Sequence, residues 1–283
     1  MDLTQEKMIT QTHWLHVNHD ENQQIFIQSW TPIGKHHHTP IIMFHDSLGC
    51  VELWRDFPAQ LAEITQRQVI AYDRLGFGQS SAHPDALTND FVVAEAKQVF
   101  KQLVELLDIQ KFIVMGHSVG GGMAAVCAAL YPEQCIGLIT IAAQSHVEEL
   151  TLSGIREAKA MFKEAGQLDR LKKYHGEKAQ WVLNSWTETW LSEAFQHWTL
   201  TEYLQKIQSP MLVIHGELDE YGSLNQPQQY IENSPAPAQL YIMENTHHMP
   251  HKEKPEEVLK VITTFLKKLT DFSQFNHTVN EQI

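Results

Sequence analysis

Phe112-Ile113-Val114-Met115-Gly116-His117-Ser118-Val119-Gly120-Gly121-Gly122 is the stretch on which the reading of this chain turns. An apolar run of strand-like composition, Phe112 to Met115, leads into small residues around a single hydroxyl. Met123 to Leu130, rich in alanine, then reads as a buried helix. Within the stretch, Gly116-His117-Ser118-Val119-Gly120 fits Gly-x-Ser-x-Gly, the nucleophile elbow, in the strand–turn–helix setting that this motif needs. The spacing has a steric reason. A strand that turns sharply into a helix puts Ser118 in a strained backbone conformation, and a side chain at 116 or 120 would run into neighbouring backbone. The same turn leaves the Val119 N–H at a helix N-terminus, where it can face a developing negative oxygen.

Working outward, 283 residues with 43% hydrophobic content suit one large α/β domain, or one domain carrying an insertion. The formal charge of −13, with no Lys/Arg cluster to offset it, argues against nucleic acid and anionic membrane surfaces as partners. Cys50, Cys127 and Cys135 form no C-x-x-C pair, which fits free thiols in a reducing compartment. Met1 to Thr10 lacks the apolar segment of a signal peptide, and no apolar run approaches the roughly 18 residues of a membrane span. A soluble, cytoplasmic protein is expected.

Trp14–Val17 and Gln24–Trp30 read as antiparallel strands, followed by a Gly/Pro loop that contains His36-His37-His38. No carboxylate or cysteine pattern accompanies these histidines, so the tract reads as a solvated loop and no metal site is expected. Strands follow at Pro40–Phe44, Gln68–Tyr72, Ile136–Ala142, Pro210–His215 and Gln239–Met243, those at Pro40–Phe44 and Ile136–Ala142 reading as buried. Helices are expected over Val51–Thr65 (irregular at Pro58), Asn89–Leu107 and Pro255–Leu269, with a polar, frayed tail from Thr270. This alternation predicts a mostly parallel sheet with helices on both faces. Gly76 and Gly78, in Asp73-Arg74-Leu75-Gly76-Phe77-Gly78-Gln79-Ser80, read as a tight turn; a phosphate cradle lacks its full motif. Between about Ser145 and Ser209 the strand rhythm stops, and the composition turns helical and tryptophan-rich, with Trp181, Trp186, Trp190 and Trp198. The expected division is a core of residues 1–144 and 209–283 with a helical cap inserted at 145–208. Its tryptophans pack the insertion onto the core, line an apolar pocket beneath a lid, or do both.

Ser118, Asp219 and His248 each follow an apolar strand, in the chain order Ser…Asp…His. The chemistry needs each type. A serine hydroxyl is a poor nucleophile until a base takes its proton, and a histidine titrating near neutrality can take it and later return it to the leaving group. A buried carboxylate fixes the imidazole tautomer and stabilises its charged form. Glu220 competes with Asp219 for that last role, and His247 with His248.

Together with His45-Asp46-Ser47-Leu48-Gly49, Gly216-Glu217-Leu218-Asp219 and His248-Met249-Pro250-His251, these motifs make the chain resemble the α/β-hydrolase superfamily, in its capped, esterase-like group, over nearly its whole length. The resemblance implies Ser118, Asp219 and His248 as catalytic, and oxyanion donors at the N–H groups of Ser47 and Val119. It further implies no cofactor. Two positions depart from the family pattern: His247 stands where glycine is usual, and Asp46 stands in place of the glycine of His-Gly-x. Asp46 is expected to turn toward a backbone donor or solvent, and the Ser47 hydroxyl either adds a third oxyanion donor or caps the turn. The implied activity is hydrolysis of a small carboxylic ester, and the tryptophan-rich insertion leans toward an apolar or aromatic substrate. Alternatives are hydrolysis of a carbon–carbon bond in a diketone-like ring-cleavage product, perhydrolysis, or a receptor that binds without turnover. An aspartate-nucleophile dehalogenase is disfavoured by Ser118. Oligomeric state is left open.

Overall fold

A computed structural model describes residues 8–17, 20–34 and 38–280, so His36 and His37 of the histidine tract lie outside the described residues. Eight strands form one sheet: β1 (Met8–His16), β2 (Gln24–Pro32), β3 (Ile41–Phe44), β4 (Val69–Tyr72), β5 (Phe112–His117), β6 (Cys135–Ile141), β7 (Met211–Gly216) and β8 (Ala238–Met243). Their spatial order is β1-β2-β4-β3-β5-β6-β7-β8. β1 and β2 run antiparallel to their neighbours, and every pair from β4 to β8 is parallel. This is the mostly parallel sheet that the strand–helix rhythm predicts. β3, β4, β5 and β7 are buried along their whole length, as strands covered on both faces must be.

The helices in chain order are α1 (Phe57–Thr65), α2 (Phe91–Lys97), α3 (Val99–Leu106), α4 (Val119–Leu130), α5 (Glu149–Met161), α6 (Gln167–His175), α7 (Ala179–Trp190), α8 (Thr201–Leu204), α9 (Asn225–Asn233), α10 (Pro250–Glu253) and α11 (Pro255–Asn280). Side chains alternate across the sheet and meet different helices. Ile41, Met43, Ile113 and Met115 share a core with α1 and α11, whereas Ile42, Phe44, Phe112 and Val114 share one with α2, α3 and α4. Helices therefore cover both faces.

Several boundaries differ from the sequence reading, each for a local reason. The helix expected over Val51–Thr65 is a 3₁₀ turn (Val51–Trp54) and then α1, broken at Arg55, whose φ of 55° ends the first turn. Pro58 lies in the first turn of α1, where a missing N–H costs nothing, and does not disturb it. The long helix from Asn89 divides at Gln98 (φ −111°, ψ −77°). α9 goes unread in the sequence because it is polar and contains Pro227. α11, expected to stop at Leu269, continues to Asn280.

Between β6 and β7 the chain holds only helices α5 to α8, two 3₁₀ turns and an isolated bridge between His146 and Thr199. Leu171, Ala179, Val182 and Leu183 of this segment form a small cluster around Phe77. Phe77 belongs to the turn Asp73–Ser80, which folds around its own acid: Asp73 accepts the N–H groups of Val51 (2.6 Å) and Gln79 (2.7 Å). His175 at the end of α6 accepts the Gly78 N–H (2.8 Å) and donates from its other nitrogen to the Leu48 carbonyl (3.0 Å). The turn thus spends its N–H groups within the protein, as a tight turn does, and the helical segment is pinned to two strand-end loops at once.

Candidate active site

The elbow is built by close backbone approach. Ser118 has φ 56° and ψ −129°, between β5 and α4. A Cβ on Gly116 would lie 2.0 Å from the Gly120 carbonyl oxygen, and one on Gly120 would lie 2.4 Å from that of Phe44. Neither contact is tolerable, so the two glycines flank the serine for the reason inferred from their spacing. The result lifts the Ser118 side chain off the strand end into a cavity of about 270 Å³.

β7 and β8 deliver the other two groups. The Nδ1–H of His248 faces both carboxylate oxygens of Asp219 at 2.9 Å, and its Nε2 lies 3.0 Å from Ser118 Oγ. Asp219 also accepts the backbone N–H groups of Tyr221 (2.8 Å) and Gly222 (3.1 Å). Burial would raise its pKa, but the hydrogen bond and charge of His248 outweigh this and hold it below the usual carboxylate value. Burial would likewise lower the His248 pKa; the bond and charge of Asp219 raise it instead. Glu220 reaches only the backbone N–H of His248, at 3.2 Å, and the exposed ring of His247 pairs with Glu253 at 3.2 Å. The structure therefore brings together Ser118, Asp219 and His248, not their sequence neighbours.

Ser47 lines the cavity, and Val119 borders a narrow recess that adjoins it through Ser47, Trp186 and Trp190. Among the described residues no protein acceptor takes either N–H. Asp46, at the position of the family's usual glycine, caps the turn: its Oδ1 accepts the Leu48 N–H at 2.9 Å. The Ser47 hydroxyl has no partner among the described residues and is not the capping group. Of the four tryptophans, Trp186 and Trp190 line the cavity; Trp181 packs edge-on against Phe77, and Trp198 stacks on Phe195. Tyr221, Leu48, Ile155 and Met249 add to the apolar lining.

Two contacts had no signal in the sequence. Gln144, just past β6, lies with Oε1 3.1 Å from Ser118 Oγ and competes with His248 for the one hydroxyl proton. His117 lies under the site with its two nitrogens toward Asp46 and the His248 carbonyl. Among the described residues no cluster of His, Cys, Asp or Glu could hold a metal ion, and no described helix is long and apolar enough to cross a membrane.

A family model described as the alpha/beta hydrolase fold matches residues 39–171. The chain is 27% identical over 255 residues to a proline iminopeptidase of Saccharolobus solfataricus, covering 76% of this chain and 81% of that protein. It is 28% identical over 238 residues to a bifunctional esterase/perhydrolase of Acinetobacter calcoaceticus, covering 72% and 82% respectively. A solved esterase of Thermogutta terrifontis superposes with a TM-score of 0.67 at 19% identity, over 92% of this chain and 99% of the other, a likeness of fold. The chain has the α/β-hydrolase fold.

Proposed function

We propose that this α/β-hydrolase-fold chain is a cofactor-free serine hydrolase that cleaves a carboxylic ester through an acyl-enzyme intermediate. The observation that carries the reading is the unbroken line from Ser118 Oγ to His248 Nε2 (3.0 Å) and from Nδ1 to Asp219 (2.9 Å). As the Ser118 oxygen attacks the ester carbonyl carbon, His248 Nε2 takes the hydroxyl proton and Asp219 stabilises the imidazolium. The carbonyl oxygen, now negative, receives the N–H groups of Ser47 and Val119. Collapse expels the alcohol, which leaves with the proton from His248. Water then repeats the sequence on the acyl-enzyme and releases the acid.

The apolar walls supplied by Trp186, Trp190 and Tyr221 favour an apolar or aromatic substrate, with helices α5 to α8 (within 145–208) as a cap over it. The esterase/perhydrolase relative is consistent with this chemistry. Cys50, Cys127 and Cys135 are buried and free, which suits a reducing, cytoplasmic setting.

A second reading, release of an N-terminal residue from a peptide, is favoured by one feature. The Glu220 carboxylate lines the cavity, where it could meet a substrate ammonium, and the iminopeptidase relative is named for such a reaction. One experiment addresses both. Wild type and Ser118→Ala are treated with a fluorophosphonate, then assayed on p-nitrophenyl esters and on proline p-nitroanilide. Labelling and ester turnover that both vanish in the variant are expected. Turnover of the anilide alone would move the assignment to peptides, and an unlabelled wild type would end the serine mechanism.

A further inference from the structure

Asp46 and His117 take no part in the chemistry above, yet both line the cavity beside Ser118. His117 is 1% exposed, with Nδ1 3.3 Å from Asp46 Oδ2 and Nε2 2.8 Å from the carbonyl oxygen of His248. Both partners are acceptors. A bond at each end needs a hydrogen on each ring nitrogen, so His117 is bonded at both only as an imidazolium. Asp46 is held at other atoms as well. Its Oδ1 takes the Leu48 N–H, and its backbone carbonyl takes the Arg74 guanidinium at 2.9 Å and the His45 ring at 2.8 Å. Gly49 makes the room: a Cβ there would stand 2.8 Å from Asp46 Oδ2.

We propose that Asp46 and His117 form a buried ion pair that positions the oxyanion turn and the base relative to each other. One end of the pair is the residue preceding Ser47, and the other end holds the backbone of His248. The N–H expected to receive the negative oxygen and the imidazole expected to receive the proton then move together or not at all. The pair also resolves the electrostatic difficulty of an acid in this turn. An unpaired carboxylate one residue from an oxyanion donor would oppose the charge forming there, whereas a carboxylate paired with His117 presents no net charge. Burial alone would raise the Asp46 pKa; the hydrogen bond and charge of His117 outweigh it and hold the carboxyl far below the usual range.

The pair rests on the hydrolase reading for its purpose, and its test includes a measurement that does not. In ¹⁵N-histidine spectra of the wild-type protein, His117 should show protons on both ring nitrogens, and Asp46→Asn should show only one. A single proton on His117 in wild type would overturn the pair even if the protein proved to have no activity. In ester turnover, Asp46→Asn keeps the Leu48 cap but removes the charge. It should lower kcat about tenfold or more with KM within about twofold, because misplaced catalytic groups cost rate before they cost binding. His117→Gln, whose amide nitrogen can replace Nε2 against the His248 carbonyl, should recover part of the kcat lost in His117→Ala. Wild-type kcat in Asp46→Asn, a loss confined to KM, or equal losses in the two His117 variants would each overturn the positioning role. Failure of fluorophosphonate labelling in wild type, with both His117 protons present, would sink the hydrolase reading and leave the pair standing.

Discussion

Ser118 stores strain at the place where the proposed chemistry needs it. A non-glycine residue at φ 56° and ψ −129° lies in a sparsely populated backbone region and costs about 1–3 kcal/mol. Ser118→Gly should therefore raise the urea midpoint above that of Ser118→Ala, by a margin equivalent to about 1 kcal/mol, while both lack turnover. Equal midpoints would mean that the turn is relaxed. Gly116→Ala should do the reverse: with a Cβ 2.0 Å from the Gly120 carbonyl oxygen it should lose roughly 2–3 kcal/mol or fail to fold. At Ser47 the hydroxyl is free to face the oxyanion of the proposed reaction, because Asp46 does the capping. Ser47→Ala should lower kcat on esters with little change in KM, whereas unchanged kcat across a panel would show that the backbone N–H acts without it. The elbow is legible from sequence because its constraints are local: glycine spacing, an apolar run before and an alanine-rich run after. The contacts of Gln144 with Ser118 and of His117 with Asp46 are not, since each joins residues 26 or more positions apart and no motif spacing specifies either pairing.

At the scale of elements, the buried strands announce themselves through continuous apolar runs, and β3, β4, β5 and β7 fall close to where those runs lie. The helices are less legible. The break at Arg55 and the division at Gln98 are set by single backbone angles, and α9 owes its place to tertiary packing: Tyr230 is buried and donates to the Gln144 carbonyl at 3.0 Å. The tryptophans likewise look alike in the sequence and divide in the structure. Trp190 is 2% exposed and packs on Phe195 as well as lining the cavity, whereas Trp186 is half-buried and meets Tyr221 across it. Trp186→Ala should therefore enlarge the pocket at little cost to folding. The expected result is a shift of kcat/KM toward bulkier or longer acyl esters, read as a change in rank order across a chain-length series. An unchanged rank order would place the acyl group elsewhere.

For the whole molecule, pH should act through buried imidazoles. Burial lowers the pKa of His45, His175, His215 and His251 below the value of 6.5 that an unfolded histidine keeps. Below pH 6.5 the unfolded chain therefore binds protons at these positions that the folded chain does not. Their contribution is full above 6.5 and is lost as pH falls toward the folded values. His248, raised mainly by Asp219 against its burial, works in the opposite sense: its share is full below 6.5 and is lost as pH rises through its folded pKa. Asp73 and Glu95, raised by burial, also favour the folded state on acidification, in the carboxyl range. The four rings buried as neutral species outnumber those that keep a proton in the fold, so the urea midpoint should fall between pH 7.5 and pH 6.0; a flat or rising midpoint would contradict the burial of these four rings as neutral species.

The double grip of His175 bears on how separable the parts of this protein are. One imidazole at the end of α6 holds both Gly78 and Leu48, and Leu48 adjoins Ser47. An engineer who replaces residues 145–208 with a glycine linker, hoping for an open and permissive scaffold, removes a strut of the scaffold itself. The helical segment and the strand-end loops have to be exchanged as a matched set. Grafting a foreign segment onto this sheet should succeed only when the graft brings its own hydrogen-bond partner for the loop at Leu48.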